Sequence, residues 1–132
     1  MSPELANLFN LVGAHIGGNL SFDGARLTNP EDVALNADGL TVDQSLFCGG
    51  FSAQGEVRLT GAHVGGRLSF AGASLINPGG FALTADRITV GQSFSCVNGF
   101  SAQGEIRLVS AHVGGQLNLG LFTCFRGWSS AG

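Results

Sequence analysis

The chain has 132 residues, a formal net charge of −3 from six Lys plus Arg against nine Asp plus Glu, 44% hydrophobic and 11% charged residues, 22 Gly and ten Phe. That hydrophobicity excludes an intrinsically disordered chain, three Pro without a Gly-X-Y period exclude a triple helix, and so small an acidic charge leaves no electrostatic footprint for nucleic acid. No stretch approaches the roughly 18 uninterrupted apolar residues of a membrane span, and Met1 to Phe9 lacks the basic flank of a leader, so the expectation is a soluble, cytoplasmic protein.

In chain order, Pro3 to Leu8 reads as a single helical turn, followed by the apolar triplet Phe9-Asn10-Leu11. The triplet recurs as Val33-Ala34-Leu35, Val57-Arg58-Leu59, Phe81-Ala82-Leu83 and Ile106-Arg107-Leu108, at spacings of 24, 24, 24 and 25. Longer words recur at twice that distance. AHIGGNLSF at Ala14 to Phe22 returns as AHVGGRLSF at Ala62 to Phe70 and AHVGGQLNL at Ala111 to Leu119, offsets of 48 and 49. GFSAQGE at Gly50 to Glu56 returns at Gly99 to Glu105, Asn29-Pro30 at Asn77-Pro78, and Ala37-Asp38 at Ala85-Asp86.

Within and between these words lie pairs such as Ala62/Val64, Leu68/Phe70 and Ala73/Leu75, all with the period of 2 that marks a strand with one buried face. Two inward side chains per short strand make no core alone, but stacked coils do. The pattern predicts an all-β, right-handed parallel β-solenoid of about five rungs, roughly 24 residues and four short strands each, stacked at roughly 4.8 Å. Its rungs run 9–32, 33–56, 57–80, 81–105 and from 106. They make repeat units 9–56 and 57–105, a partial unit 106–125 with Phe122 and Cys124 inward, and a tail 126–132, all in one domain spanning 1–132. Gly17-Gly18, Gly65-Gly66 and Gly114-Gly115 are expected at bends that need the φ freedom of Gly. Asn29-Pro30-Glu31-Asp32 and Asn77-Pro78-Gly79-Gly80 are expected as turns that end rungs. An antiparallel sandwich also has closely spaced short strands, but gives no reason for a 48-residue identity.

The words GAHVGGRLSFAGASLINPGGFALTADRITVGQSF (61–94) and GFSAQGEIRL (99–108) resemble the repeats of actinobacterial β-helical proteins commonly labelled membrane-associated oxidoreductases, over residues 9 to 119. The chain is also distantly similar to pentapeptide-repeat proteins, whose A-x-L-x-x unit is echoed by Ala25-Arg26-Leu27, Ala73-Ser74-Leu75 and Ala62-His63-Val64. The first resemblance implies a β-helical fold, a redox label and a chain that is a piece of a longer protein. The second implies an anion-binding or DNA-mimicking surface.

His15, His63 and His112 occupy equivalent outward positions, roughly 9.6 Å apart by strand spacing, too far to share a zinc ion. Arg87 is placed at the same strand position between the last two, and Arg58 and Arg107 face outward on the neighbouring strand. Arg58, His63, Arg87, Arg107 and His112 are therefore expected to form a mildly basic stripe that docks an anionic ligand or an acidic partner surface. The competing reading is a solvated face partly offset by Glu56 and Glu105.

Hydroxyls dominate two other outward columns, Ser21, Ser69 and Ser95, and Ser52, Ser74, Ser101 and Thr123. Phe47 and the lack of Thr-x-Thr regularity speak against an ice-binding face. Cys48 and Cys96 are expected in the core, two rungs and roughly 9.6 Å apart, beyond disulfide reach. Together with Cys124 they make an odd, unpaired set.

No nucleophile motif, dinucleotide loop or catalytic carboxylate pair is present, and no cofactor or metal is expected. The reading is a structural or interaction module without catalytic activity, binding a macromolecular partner along a face or self-associating through open ends. Its alternatives are a fragment of the oxidoreductase-labelled family and a DNA-mimic surface. Asp23, Glu31, Asp32, Asp38 and Asp43 crowd the first unit without continuing into the second, which counts against the mimic.

Overall fold

A computed structural model describes residues 4–5, 9–97 and 99–118, and every regular element among them is a strand. In chain order these are β1 (Glu4–Leu5), β2 (Phe9–Asn10), β3 (His15–Ile16), β4 (Leu20–Ser21), β5 (Arg26–Asn36), β6 (Thr41–Val42), β7 (Leu46–Phe47) and β8 (Ser52–Arg58). They continue as β9 (His63–Val64), β10 (Leu68–Ser69), β11 (Ser74–Thr84), β12 (Thr89–Val90), β13 (Phe94–Ser95), β14 (Ser101–Arg107), β15 (His112–Val113) and β16 (Leu117–Asn118).

All pairings are parallel and join a strand to its counterpart one turn away, so the chain is a β-solenoid. It has three faces where four strands per rung were expected. A first short-strand sheet is ordered β15-β12-β9-β6-β3, a second β16-β13-β10-β7-β4, and a long sheet contains β5, β8, β11 and β14 with β1 and β2 both on β5. Glu4–Leu5, expected in a helical turn, is a strand paired with Arg26 and Leu27. Thr123, Phe122, Cys124 and the tail lie outside the described residues. No helix among the described residues is long and apolar enough to cross a membrane.

His15 pairs with Thr41, Thr41 with His63, His63 with Thr89 and Thr89 with His112, so four successive turns take 26, 22, 26 and 23 residues. The mean near 24 hides an alternation that comes from the Asn-Pro segments. These do not end rungs; they bulge from the middle of long strands. Between β5 and β8, Thr28 pairs with Gln54 and Val33 with Glu56, then Leu35 with Val57, leaving four extra residues on β5. Between β11 and β8 the same excess falls between Ile76 and Leu83.

Proline has no N–H for the ladder and forces the strand outward there. Asn29 Nδ2 closes the loop on the Val33 carbonyl at 2.9 Å, and Asn77 Nδ2 closes its copy on the Phe81 carbonyl at 2.8 Å. Each bulge leans on the next turn at a glycine with strongly positive φ, Gly55 (123°) and Gly104 (125°). A Cβ at Gly55 would lie 2.5 Å from the Asn29 carbonyl oxygen.

The 48-residue period also comes from the core. The corner between the long sheet and the first short sheet is a tight turn in which residue i accepts from the amide of i+3, as in Ala62 N to Leu59 O at 3.1 Å. Both end residues point inward, and one is always large and the other Ala. The pairs run Leu11/Ala14, Ala37/Leu40, Leu59/Ala62, Ala85/Ile88 and Leu108/Ala111, so the order reverses at every turn. The corner after the second short sheet alternates likewise, Phe22/Ala25, Cys48/Phe51, Phe70/Ala73 and Cys96/Phe100. A close-packed interior has room for one large side chain per corner, and reversing its position staggers the bulk of neighbouring turns. The rings then meet diagonally, Phe22 to Phe51 at 5.7 Å and Phe70 to Phe100 at 6.2 Å between centroids.

The Gly-Gly words stand at the third corner, but none of their φ values is positive. A Cβ on Gly65 would run into the carbonyl oxygen of Asp43 in the preceding turn, and one on Gly66 into that of Gln44. Close stacking on the preceding turn, not a bend, disfavours a side chain at Gly65, Gly66, Gly114 and Gly115, whereas Gly17 and Gly18 have open space around them.

Candidate functional site

Arg58 and Arg107 end β8 and β14 on the long sheet, and the structure commits both to their neighbours. Arg58 donates from Nε and Nη2 to Asp38 Oδ2, each at 3.1 Å, and its Nη1 lies 3.4 Å from Glu56 Oε2. Glu56 Oε2 also accepts from the Thr84 hydroxyl at 2.6 Å, and Asp38 Oδ1 from the Thr60 amide at 3.0 Å. Arg107 repeats the scheme: its Nε lies 3.0 Å from Asp86 Oδ2, and its guanidinium is 5.7 Å from the centre of the Phe81 ring. Asp86 Oδ1 accepts from the Val109 amide at 3.1 Å. Each Asp thus caps an amide of the next turn while holding an Arg. With the two Arg side chains 33% and 45% exposed, each pair contributes at most about 1 kcal/mol. What they remove is free positive charge, so two of the five stripe residues are neutralised.

The histidines stand where expected, outward on the first short sheet, in the column His15, Thr41, His63, Thr89, His112. Ile16, Val42, Val64, Val90 and Val113, the following residues, face the core or pack against it. Thr89, not Arg87, lies between His63 and His112. The four-residue bulge in β11 shifts everything after it, and a count of 24 from His63 stops two residues short. Arg87 sits at the corner before β12 with φ 58°.

His15 Nε2 is 2.9 Å from Asp43 Oδ1. His63, His112 and Arg87 are exposed, and their side chains make no hydrogen bond or ion pair among the described residues. Nor do any three His, Cys, Asp or Glu side chains among the described residues gather as metal ligands. The structure therefore keeps His63 and His112 in one column and Arg58 and Arg107 on the adjacent long sheet, and shifts Arg87 from the column to the corner beside it.

Two features were not anticipated from sequence. A cleft of about 230 Å³ lies between the two bulges, lined by Pro30, Gln54, Ile76, Asn77 and Pro78. A second, of about 220 Å³, is lined by Gly79, Gly80, Gly104 and Glu105. The Asn-Pro words were their signal, read as corners rather than as protrusions.

The second short sheet shows Ser21, Phe47, Ser69 and Ser95 outward in register. Cys48 and Cys96 are buried and free. Burial raises the Cys48 thiol far above its usual range, with the Asp23 carboxylate and Cys96 adding to it, and burial pushes Cys96 up to about 12. Both are core thiols with no nucleophilic character near neutral pH. No protein-family model, curated protein or solved structure matches the chain.

Proposed function

We propose that the chain is a structural and interaction module that offers the column His15–Thr41–His63–Thr89–His112, with the corner at Arg87, to a macromolecular partner. One observation supports this above others. Four ionisable side chains that recur at the 48- to 49-residue period are spent on pairing across turns, Asp38 with Arg58 and Asp86 with Arg107. The His63 and His112 imidazoles recur as faithfully and make no hydrogen bond or ion pair among the described residues. The stack does not require imidazole there, since the intervening turns carry Thr41 and Thr89 in the same column.

A photo-reactive residue placed at His63, Ser69 or Gln54 samples the three faces in turn, in cells that make the protein. A discrete adduct from the His63 position, absent from the other two, is the expected result. Equal labelling from all three faces, or none from His63, contradicts the reading.

A further inference from the structure

The corner between the long sheet and the first short sheet is built five times, and its third residue has positive φ each time: Gly13 (71°), Gly39 (70°), Gly61 (69°), Arg87 (58°) and Ser110 (58°). Gly adopts that conformation freely, whereas a Cβ crowds the following carbonyl. The first three turns use Gly. The last two accept a disfavoured backbone, and strain retained on a surface points to a use for the side chain. Neither side chain repays the fold, since Arg87 and Ser110 make no side-chain hydrogen bond or ion pair among the described residues.

These two residues are neighbours in adjacent turns. The Arg87 amide donates to the Val109 carbonyl at 2.8 Å, which places Ser110 one turn beyond Arg87, and Thr89 pairs directly with His112 in the next column. A guanidinium, two hydroxyls and an imidazole thus occupy a two-by-two patch, with Arg87 and His112 exposed and Thr89 and Ser110 half-buried. Asp86, the carboxylate next in sequence, is already held by Arg107 and the Val109 amide.

We propose that Arg87, Thr89, Ser110 and His112 form a surface site for a phosphate-class oxyanion. The guanidinium supplies the charge and a planar donor fork, and the hydroxyls and imidazole N–H supply further donors. A carboxylate would be satisfied by the guanidinium alone. Donors on two turns and in two columns suit a tetrahedral anion that has oxygens on every side. The proposal rests on the reading that this face meets a partner, and it names the chemistry recognised there.

The test titrates inorganic phosphate into the purified chain and follows backbone amide resonances. Saturable shifts confined to these four residues are expected. Phosphoserine in place of phosphate separates the sources: the same shifts support recognition of a phosphate ester, and their absence supports a site for the free ion.

In Arg87→Gly, which restores the residue of the earlier turns, phosphate binding should weaken about tenfold or more while the Tm rises. No saturable shift in the parent chain, equal shifts around Arg26 and Arg67, or a lower Tm in Arg87→Gly would each overturn the proposal. Failure of phosphate to bind leaves the photo-cross-link from His63 to decide the broader reading independently.

Discussion

Leu59 and Ala62 close one corner of the solenoid, the Ala62 amide donating to the Leu59 carbonyl at 3.1 Å, and share a space that admits a single large side chain. One turn earlier the same space is filled from the other end, by Ala37 and Leu40. Leu59→Ala should destabilise by about 2–5 kcal/mol, and Ala62→Leu, which overfills the corner, by about 1–3 kcal/mol. The double swap conserves volume and should be less destabilised than the sum of the two, by about 1 kcal/mol or more. Urea unfolding of the four proteins checks this, and strict additivity would show that the corner does not couple the pair.

Inward and outward positions should differ sharply in the same assay. Phe70 is fully buried and its ring centroid lies 6.1 Å from that of Phe94, so Phe70→Ala is expected to cost about 3–5 kcal/mol. His63→Ala removes an exposed side chain and should change stability by less than about 0.5 kcal/mol. Similar losses would invert the assignment of faces.

Two glycines from the same repeated word should respond differently to one methyl group. Gly65 has the Asp43 carbonyl where its Cβ would go, whereas the space around Gly17 is open within 4 Å. Gly65→Ala is expected to destabilise by about 1–3 kcal/mol. Gly17→Ala should be neutral or add about 0.4–1 kcal/mol by restricting the unfolded chain. Thermal melts of the two variants decide it, and equal losses would return the Gly-Gly word to a requirement for φ.

The buried thiols make stability fall at alkaline pH. Burial raises the Cys48 and Cys96 pKa values from 9.0, Cys96 to about 12, so the folded chain keeps its protons where the unfolded chain loses them. Their contribution is complete below about pH 9 and declines as pH rises through the window up to about 12. Urea midpoints measured across that window should drop, and the drop should shrink in a Cys48→Ala, Cys96→Ala protein. An alkylating reagent at neutral pH should spare both thiols until urea unfolds the chain.

The β-solenoid and its inward and outward faces are legible in the sequence, because a strand period of 2 carried on a 48-residue repeat has few physical solutions. Phe70, Cys48 and Cys96 in the core, and His63 and His112 outside it, follow from that alone. The register was not legible. Apolar triplets recur about every 24 residues whether or not a bulge intervenes, since Asn29-Pro30 and Asn77-Pro78 add residues to one turn that the next turn lacks.

That averaging put Arg87 where Thr89 stands. The ion pairs were hidden for a related reason. Asp38 meets Arg58 only because a corner of one turn lies beside the end of a strand in the next, an adjacency that depends on turn lengths of 26 and 22.

The most direct test of this account is the register beside His112, which decides which side chains share the candidate site. The His112 amide donates to the Ile88 carbonyl at 2.9 Å. A through-hydrogen-bond scalar coupling between the His112 nitrogen and the Ile88 carbonyl carbon, measured by NMR, is the predicted result. Coupling to the Asp86 carbonyl instead would restore an even 24-residue spacing, return Arg87 to the histidine column, and contradict the site as drawn.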